Sequence, residues 1–171
     1  MSSGNLLLFH SNKTINWFFR YSVVIILFII MDILKIPFHR HLQIENFQDN
    51  DEYIFCMDER PEHLYHLGTI HACAQLALAE ASSGEYLRTQ FNEFEGKVVP
   101  VIRKTEVKYS TPANGSLFSK ASFPAGNRED YLKEYKLRGR FIIPVKVEVY
   151  NNENKRTLLA VFEWFITSIS A

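Results

Sequence analysis

The sequence predicts an α+β domain in which one antiparallel sheet of five to six strands packs on a single long helix. Three observations predict it. Apolar and polar residues alternate in short segments before residue 60 and in long segments after residue 96. Between them lies an Ala-rich stretch, Thr69 to Gly84, of helical length and with no clean polar face. The late strands are joined by short turns, so neighbours in sequence pair antiparallel.

Each element follows in order. Leu42-Gln-Ile-Glu-Asn46 and Tyr53-Ile-Phe-Cys-Met57 read as a hairpin across Asn50-Asp51, ended by Arg60-Pro61. A loop, His63-Leu-Tyr-His-Leu-Gly68, leads into a helix from about Ile70 to Leu87. Five alanines, at 72, 74, 77, 79 and 81, let a sheet approach closely, and this helix is expected to be buried nearly all round. Val98 to Tyr109 is a long β-branched strand. Pro112-Ala-Asn-Gly115 turns the chain into a strand over Ser116 to Phe123. Arg128 to Leu137 is a short helix or a charged loop. Phe141 to Tyr150 sets Val145, Val147 and Val149 inward against Lys146 and Glu148 outward. Asn151 to Asn154 turns, and Thr157 to Ile169 is the last strand.

Composition excludes several classes. In 171 residues, 47% apolar and 22% charged, there is enough material for a core and too little charge for disorder. Nineteen Lys and Arg balance nineteen Asp and Glu, which argues against nucleic acid as a partner. Two cysteines, Cys56 and Cys73, cannot make a disulfide scaffold or a four-thiolate zinc site.

Residues 1–30 differ from the rest. They carry Lys13 and Arg20 and no acid. Tyr21 to Met31 is an uncharged run of 11 residues between Arg20 and Asp32, short of the roughly 20 a spanning helix needs. No signal-cleavage pattern follows it. The chain therefore divides into an apolar extension, 1–30, and a folded domain, 31–171, with Met31 as the expected true start and a cytoplasmic location. The alternative is a weak membrane anchor over residues 15–34. A chain beginning at Met31 should stay soluble and melt like an ordinary domain; aggregation of that shortened chain would favour the anchor.

Glu80 is the only fully charged side chain between Thr69 and Gly84. Burying it without a partner would be costly, which points to a salt bridge or to chemistry. Gly68 permits a tight turn into the helix, whose first N–H groups, around His71 and Ala72, could hold a developing oxyanion. Nine positions, about 13 Å at 1.5 Å per residue, separate His71 from Glu80. One helix cannot bring both to one carbonyl. Two antiparallel helices from two chains could.

The segment His66-Leu-Gly-Thr-Ile-His71-Ala-Cys-Ala, followed by Leu78-Ala-Glu80-Ala, resembles the helix motif of hotdog-fold acyl-CoA thioesterases. The usual form there is Asn-x-x-Gly-x-x-His-Gly-Gly with an acid nine residues past the His. Ile36-Pro-Phe-His-Arg-His-Leu, Val107 to Gly115 and Arg138-Gly-Arg140 extend the resemblance from about Lys35 to the C-terminus. It looks closest to a small bacterial branch related to phenylacetate-type thioesterases. The resemblance implies a sheet wrapped around one central helix, in a homodimer or a dimer of dimers (homotetramer). The implied substrate is an acyl-CoA or acyl-carrier thioester bound between subunits, with no separate cofactor and no metal. It implies Glu80 as general base or nucleophile, and the Ala72 N–H, with His71, as the oxyanion hole of the other subunit's site. Tyr65 stands at the family's Asn position. His66 and Gly68 fall in the substrate-binding loop, and Arg138 and Arg140 could meet coenzyme A phosphates. Tyr65 for Asn and Ala72-Cys73 for Gly-Gly depart from the pattern. They keep open a second reading, a non-catalytic hotdog domain that binds acyl chains or a protein partner.

Other candidates are weaker. His63, His66 and His71 with Glu62 lack the spacing of a zinc site. Cys73 and His71 point apart on a helix, so a thiol nucleophile is not expected. Asn114-Gly115-Ser116 reads as a turn. Arg128-Glu129-Asp130 and Lys133-Glu134 read as a solvated face, and Phe162 and Trp164 as core.

Overall fold

The computed structural model describes residues 32–48, 52–124 and 126–169. The extension 1–30 and nearly all of the candidate anchor 15–34 lie outside them. Six strands, β1 (Glu45–Asn46), β2 (Phe55–Met57), β3 (Val98–Tyr109), β4 (Leu117–Ser122), β5 (Arg140–Asn151) and β6 (Arg156–Ser168), form one antiparallel sheet in the order β1-β2-β4-β5-β6-β3. Three helices accompany it: α1 (Pro37–His41), α2 (Ala72–Gln90) and α3 (Arg128–Arg138).

The alternation in β5 sets the centre of the sheet. Ile143, Val145, Val147 and Val149 are fully buried, while the residues between them reach the other face. On β6, Leu158, Ala160 and Phe162 join the same core, with Val147 opposite Ala160 and Val149 opposite Leu158. A one-residue slip would turn this whole set to solvent, so the register is strongly specified. The turn between them is built by Asn151, whose Oδ1 accepts from the Glu153 and Lys155 N–H groups.

α2 lies on the buried face through Ala74, Ala77, Leu78, Ala81 and Ser82. The small residues allow the close approach, and Ser82 Oγ sits 2.6 Å from Ser119 Oγ on β4. The helix starts at Ala72 rather than Ile70 because His71 caps it: His71 Nδ1 accepts from the Cys73 N–H at 3.0 Å. It runs on to Gln90, past Leu87, because Leu87 and Phe91 both pack into the core. Burial all round is not what the chain shows. Cys73, Leu76, Glu80 and Gly84 form a stripe at helical spacing that is open or half open. The sheet of one chain covers only one side of the helix.

The first hairpin is shorter than expected. Only Glu45 pairs with Cys56 and Asn46 with Phe55. Leu42 and Ile44 are core residues, but they lie in the exit from α1, with Gln43 at φ 49° and the Ile44 N–H bonded to the His39 carbonyl. Their alternation signalled burial, not a strand. Much of the expected turn, residues 49–51, lies outside the described residues. α1 itself, with Pro37 in its first turn, was not anticipated as a helix.

Arg128 to Arg138 resolves as a helix for local reasons. Asn127 caps it by accepting the Asp130 N–H, acids occupy the first turn, Lys136 and Arg138 the last, and Gly139 closes it at φ 65°. Arg128 ties it to the end of α2 through the Gln90 carbonyl at 2.7 Å and an ion pair with Glu93. At one edge of the sheet β1 is two residues long. At the other, β3 spans 12 residues and among the described residues pairs only with β6.

Candidate active site

Glu80 stands on the wall of a cavity of about 420 Å³ bounded by α1, α2, β3, the start of β5 and the end of β6. The wall is mostly apolar: Ile33, Ile36, Leu87, Phe91, Phe94, Val98, Ile102, Phe141, Trp164 and Ile166. One turn beyond Glu80, Gly84 lets the wall close. A Cβ there would come within 3.2 Å of Ile33 Cδ1 and 3.8 Å of Trp164. Trp164 therefore lines the cavity rather than packing wholly in the core, with its Nε1–H donated to Ser83 Oγ at 3.3 Å. Arg88, also on the wall, is held by both carboxylate oxygens of Glu85. That contact, more than any other, holds the guanidinium above its ordinary range. Glu80 itself is exposed in the single chain, so within one chain the desolvation argument made for it does not apply.

The other predicted residues gather at the opposite end of α2. Between Leu64 and Ile70, which form a bridge, the chain turns tightly: the Tyr65 N–H bonds to the Thr69 carbonyl at 2.7 Å and the Gly68 N–H to the Tyr65 carbonyl at 2.8 Å. Gly68 takes φ 74°, a conformation that other residues rarely adopt, so its role is in the backbone. Tyr65 packs on His66, with ring centroids 3.9 Å apart, and edge-on to His71 at 5.2 Å. Because His71 Nδ1 accepts a hydrogen bond, the neutral ring carries its proton on Nε2 and can donate from there. The Ala72 N–H, ahead of the capped one, has no partner among the described residues. The Ala72 carbonyl accepts from Tyr109 Oη at 3.1 Å, anchoring the helix start to β3. Burial, and secondarily Cys73, raises the Tyr109 phenol, which keeps its proton for that bond.

His71, Ala72 and Tyr65 are thus grouped, and Glu80 is apart from them along the same helix. His66 and Gly68 sit in the exposed loop, off the cavity wall. Arg138 and Arg140 flank Gly139 at an exposed corner, where Arg138 is 3.6 Å from Glu134; they too are off the wall, although Phe141, next in the chain, is on it. His63 is buried and bonded through Nδ1 to the Asp58 carbonyl at 3.1 Å. Among the described residues no three His, Cys, Asp or Glu side chains are placed to hold a metal ion. None of their helices is long and apolar enough to cross a membrane. Sequence reasoning missed His39, Gly84, Trp164 and the Phe91–Phe94 pair as wall residues. Gly84, a glycine four positions after Glu80 on a helix, was a readable sign of close approach.

Residues 28–166 match the family model described as "Domain of unknown function (DUF4442)". No curated protein matches the sequence. Among solved structures, a Pseudomonas aeruginosa protein described as a "Probable Thioesterase" superposes with a TM-score of 0.67 at 18% identity, covering 78% of this chain and 89% of that one. A Haemophilus influenzae thioesterase gives 0.61 at 16%, covering 81% and 87%. A Bacillus halodurans protein solved with CoA gives 0.55 at 15%, covering 86% and 94%. At such identities the likeness is one of fold, and it agrees with the antiparallel sheet and long helix described above. The chain belongs to the DUF4442 family and has a hotdog fold, which these solved structures share.

Proposed function

We propose that the protein hydrolyses an acyl thioester, of coenzyme A or of an acyl carrier, with the acyl group in the 420 Å³ cavity and Glu80 as general base. The observation that carries this reading is the position of Glu80, a carboxylate with no salt bridge among the described residues, on a mostly apolar wall of ligand-binding size. Water attacks the thioester carbonyl as Glu80 takes its proton. The oxyanion is held by the N–H of Ala72 of the partner subunit and by Nε2–H of the partner's His71. As the tetrahedral intermediate collapses, the C–S bond breaks and the thiolate leaves, recovering the proton. The CoA in the Bacillus halodurans structure supports this carrier class, and Arg138 and Arg140 are the candidates for its phosphates.

The reading requires a second chain. A 12-residue strand with one edge unpaired among the described residues is a ready pairing surface, and the open stripe Cys73-Leu76-Glu80 on α2 is the face a second, antiparallel α2 would cover. Light scattering at micromolar concentration should give at least twice the 20.0 kDa chain mass. A tetramer is compatible; a monomer would remove the shared site.

Steady-state hydrolysis across a panel of acyl-CoAs tests the activity itself. Turnover that saturates and depends on Glu80 is the expected result. Binding of the panel without turnover of any member would leave the acyl-binding domain as the function, a reading that Tyr65 and Ala72-Cys73 in place of the family's Asn and Gly-Gly would then explain.

A further inference from the structure

On the cavity wall, His39 has one ring nitrogen with no hydrogen-bond partner among the described residues. His39, on α1, is 7% exposed and lies on the wall with Glu80. Its Nδ1 is 2.8 Å from the Ile33 carbonyl. A carbonyl can only accept, so Nδ1 carries the hydrogen and, in the neutral ring, Nε2 is a bare acceptor. No described residue donates to it, and it is not among the polar atoms sealed from solvent. The ring cannot easily swing away. Its backbone carbonyl is held by the Ile44 N–H at 3.1 Å, and the Ile33 that fixes Nδ1 packs over Gly84, one turn from Glu80. Elsewhere on the wall, Trp164 Nε1–H is donated to Ser83, and Arg88 Nε and Nη2 donate to Glu85.

We propose that His39 Nε2 is a specificity element that accepts a hydrogen bond from a hydroxyl on the acyl group, so that the site prefers a hydroxyacyl thioester to the unsubstituted one. This rests on the hydrolase reading for where the acyl group sits. A plain alkyl chain would strip water from Nε2 and offer nothing in return, whereas a hydroxyl replaces that water. A site built to pair a substrate hydroxyl discriminates against the analogue that lacks it. The cavity has the volume for such a group: at roughly 30 Å³ per water-sized unit it takes about a dozen heavy atoms.

The test compares decanoyl-CoA with its 2-hydroxy, 3-hydroxy and 10-hydroxy forms, on the wild-type protein and on His39→Asn. The Asn side-chain N–H₂ can replace Nδ1–H at the Ile33 carbonyl, yet it ends short of Nε2. In the wild type at least one hydroxy form should exceed decanoyl-CoA in kcat/KM by about 10- to 100-fold, and in His39→Asn that ratio should collapse toward one. The same pairs are measured by calorimetric binding to Glu80→Gln, where no turnover is needed and the hydroxy form should again bind more tightly. Absence of hydrolysis with the binding preference intact would sink the hydrolase reading and keep this one. No preference for any hydroxy form in either assay overturns the inference. So does an equal loss on all four substrates in His39→Asn, which would mean a structural contact or one to the pantetheine arm. Should His39→Asn fail to fold, the wild-type and Glu80→Gln comparisons still decide.

Discussion

Glu80→Gln should lower kcat for the best thioester substrate by about 10²–10⁴-fold, the usual cost of removing a general base. Glutamine keeps the length and shape of the side chain, so the cavity wall beside Gly84 and Ile33 is undisturbed. The amide cannot take a proton from water at neutral pH, while the Ala72 and His71 donors at the other end of the helix are untouched. Loss should therefore fall on kcat, with KM changed little. Thermal stability is the control. A Glu80 buried in an Ala-rich helix would gain stability on losing its charge. In the single chain Glu80 is exposed, and in the proposed dimer a second α2 would cover it, so the melting temperature should change little or rise. Full retention of hydrolysis would end the proposed mechanism and direct attention to Tyr65, beside His71.

Much of the architecture was legible because the long elements carry unambiguous periods. Val98–Tyr109 coincides with β3, and the inward set Val145, Val147 and Val149 is fully buried, as a strict period of two requires. The short elements were harder to read. Leu42 and Ile44 alternate like a strand, yet they are buried by a turn in which Gln43 adopts a left-handed conformation that no periodicity reports. The expectation that α2 is buried all round rested on composition. Among the described residues the sheet covers a single face, and alanine content does not report which faces of a helix are covered. The site divides the same way. The His71–Glu80 spacing was visible in the sequence; the cap at His71, and an Ala72 N–H with no partner among the described residues, came only from the fold. The cavity wall was not visible, because Ile33, His39, Phe141 and Trp164 come from four separate places in the chain and meet only through the fold.

Phe141→Ala should produce the largest stability change of any single substitution considered. Phe141 is 2% exposed at the start of β5. Its ring centroid lies 5.5 Å from Phe91, 5.9 Å from Tyr131, 6.1 Å from Tyr135 and 6.3 Å from Phe94. It therefore joins the end of α2, the turn after it and α3 to the sheet. These neighbours sit on separate elements, each anchored elsewhere, so they cannot all move into the space left behind. Truncation loses the transfer energy of the ring, leaves a cavity and removes several edge and tilted ring contacts, which together cost about 3–5 kcal/mol. For a domain of this size the melting temperature should fall by about 10–15 °C, measured at fixed protein concentration because association would contribute to stability. The same space opens onto the cavity proposed for the acyl group, whose wall includes Phe141. Residual hydrolysis should shift toward bulkier or longer acyl groups, a change that simple destabilisation would not produce. Phe141→Leu, which keeps most of the volume, should cost clearly less. A loss under about 1 kcal/mol for Phe141→Ala would mean that α3 and the aromatic cluster are not coupled to the core, since a well-packed cluster cannot close over a missing ring at so small a cost.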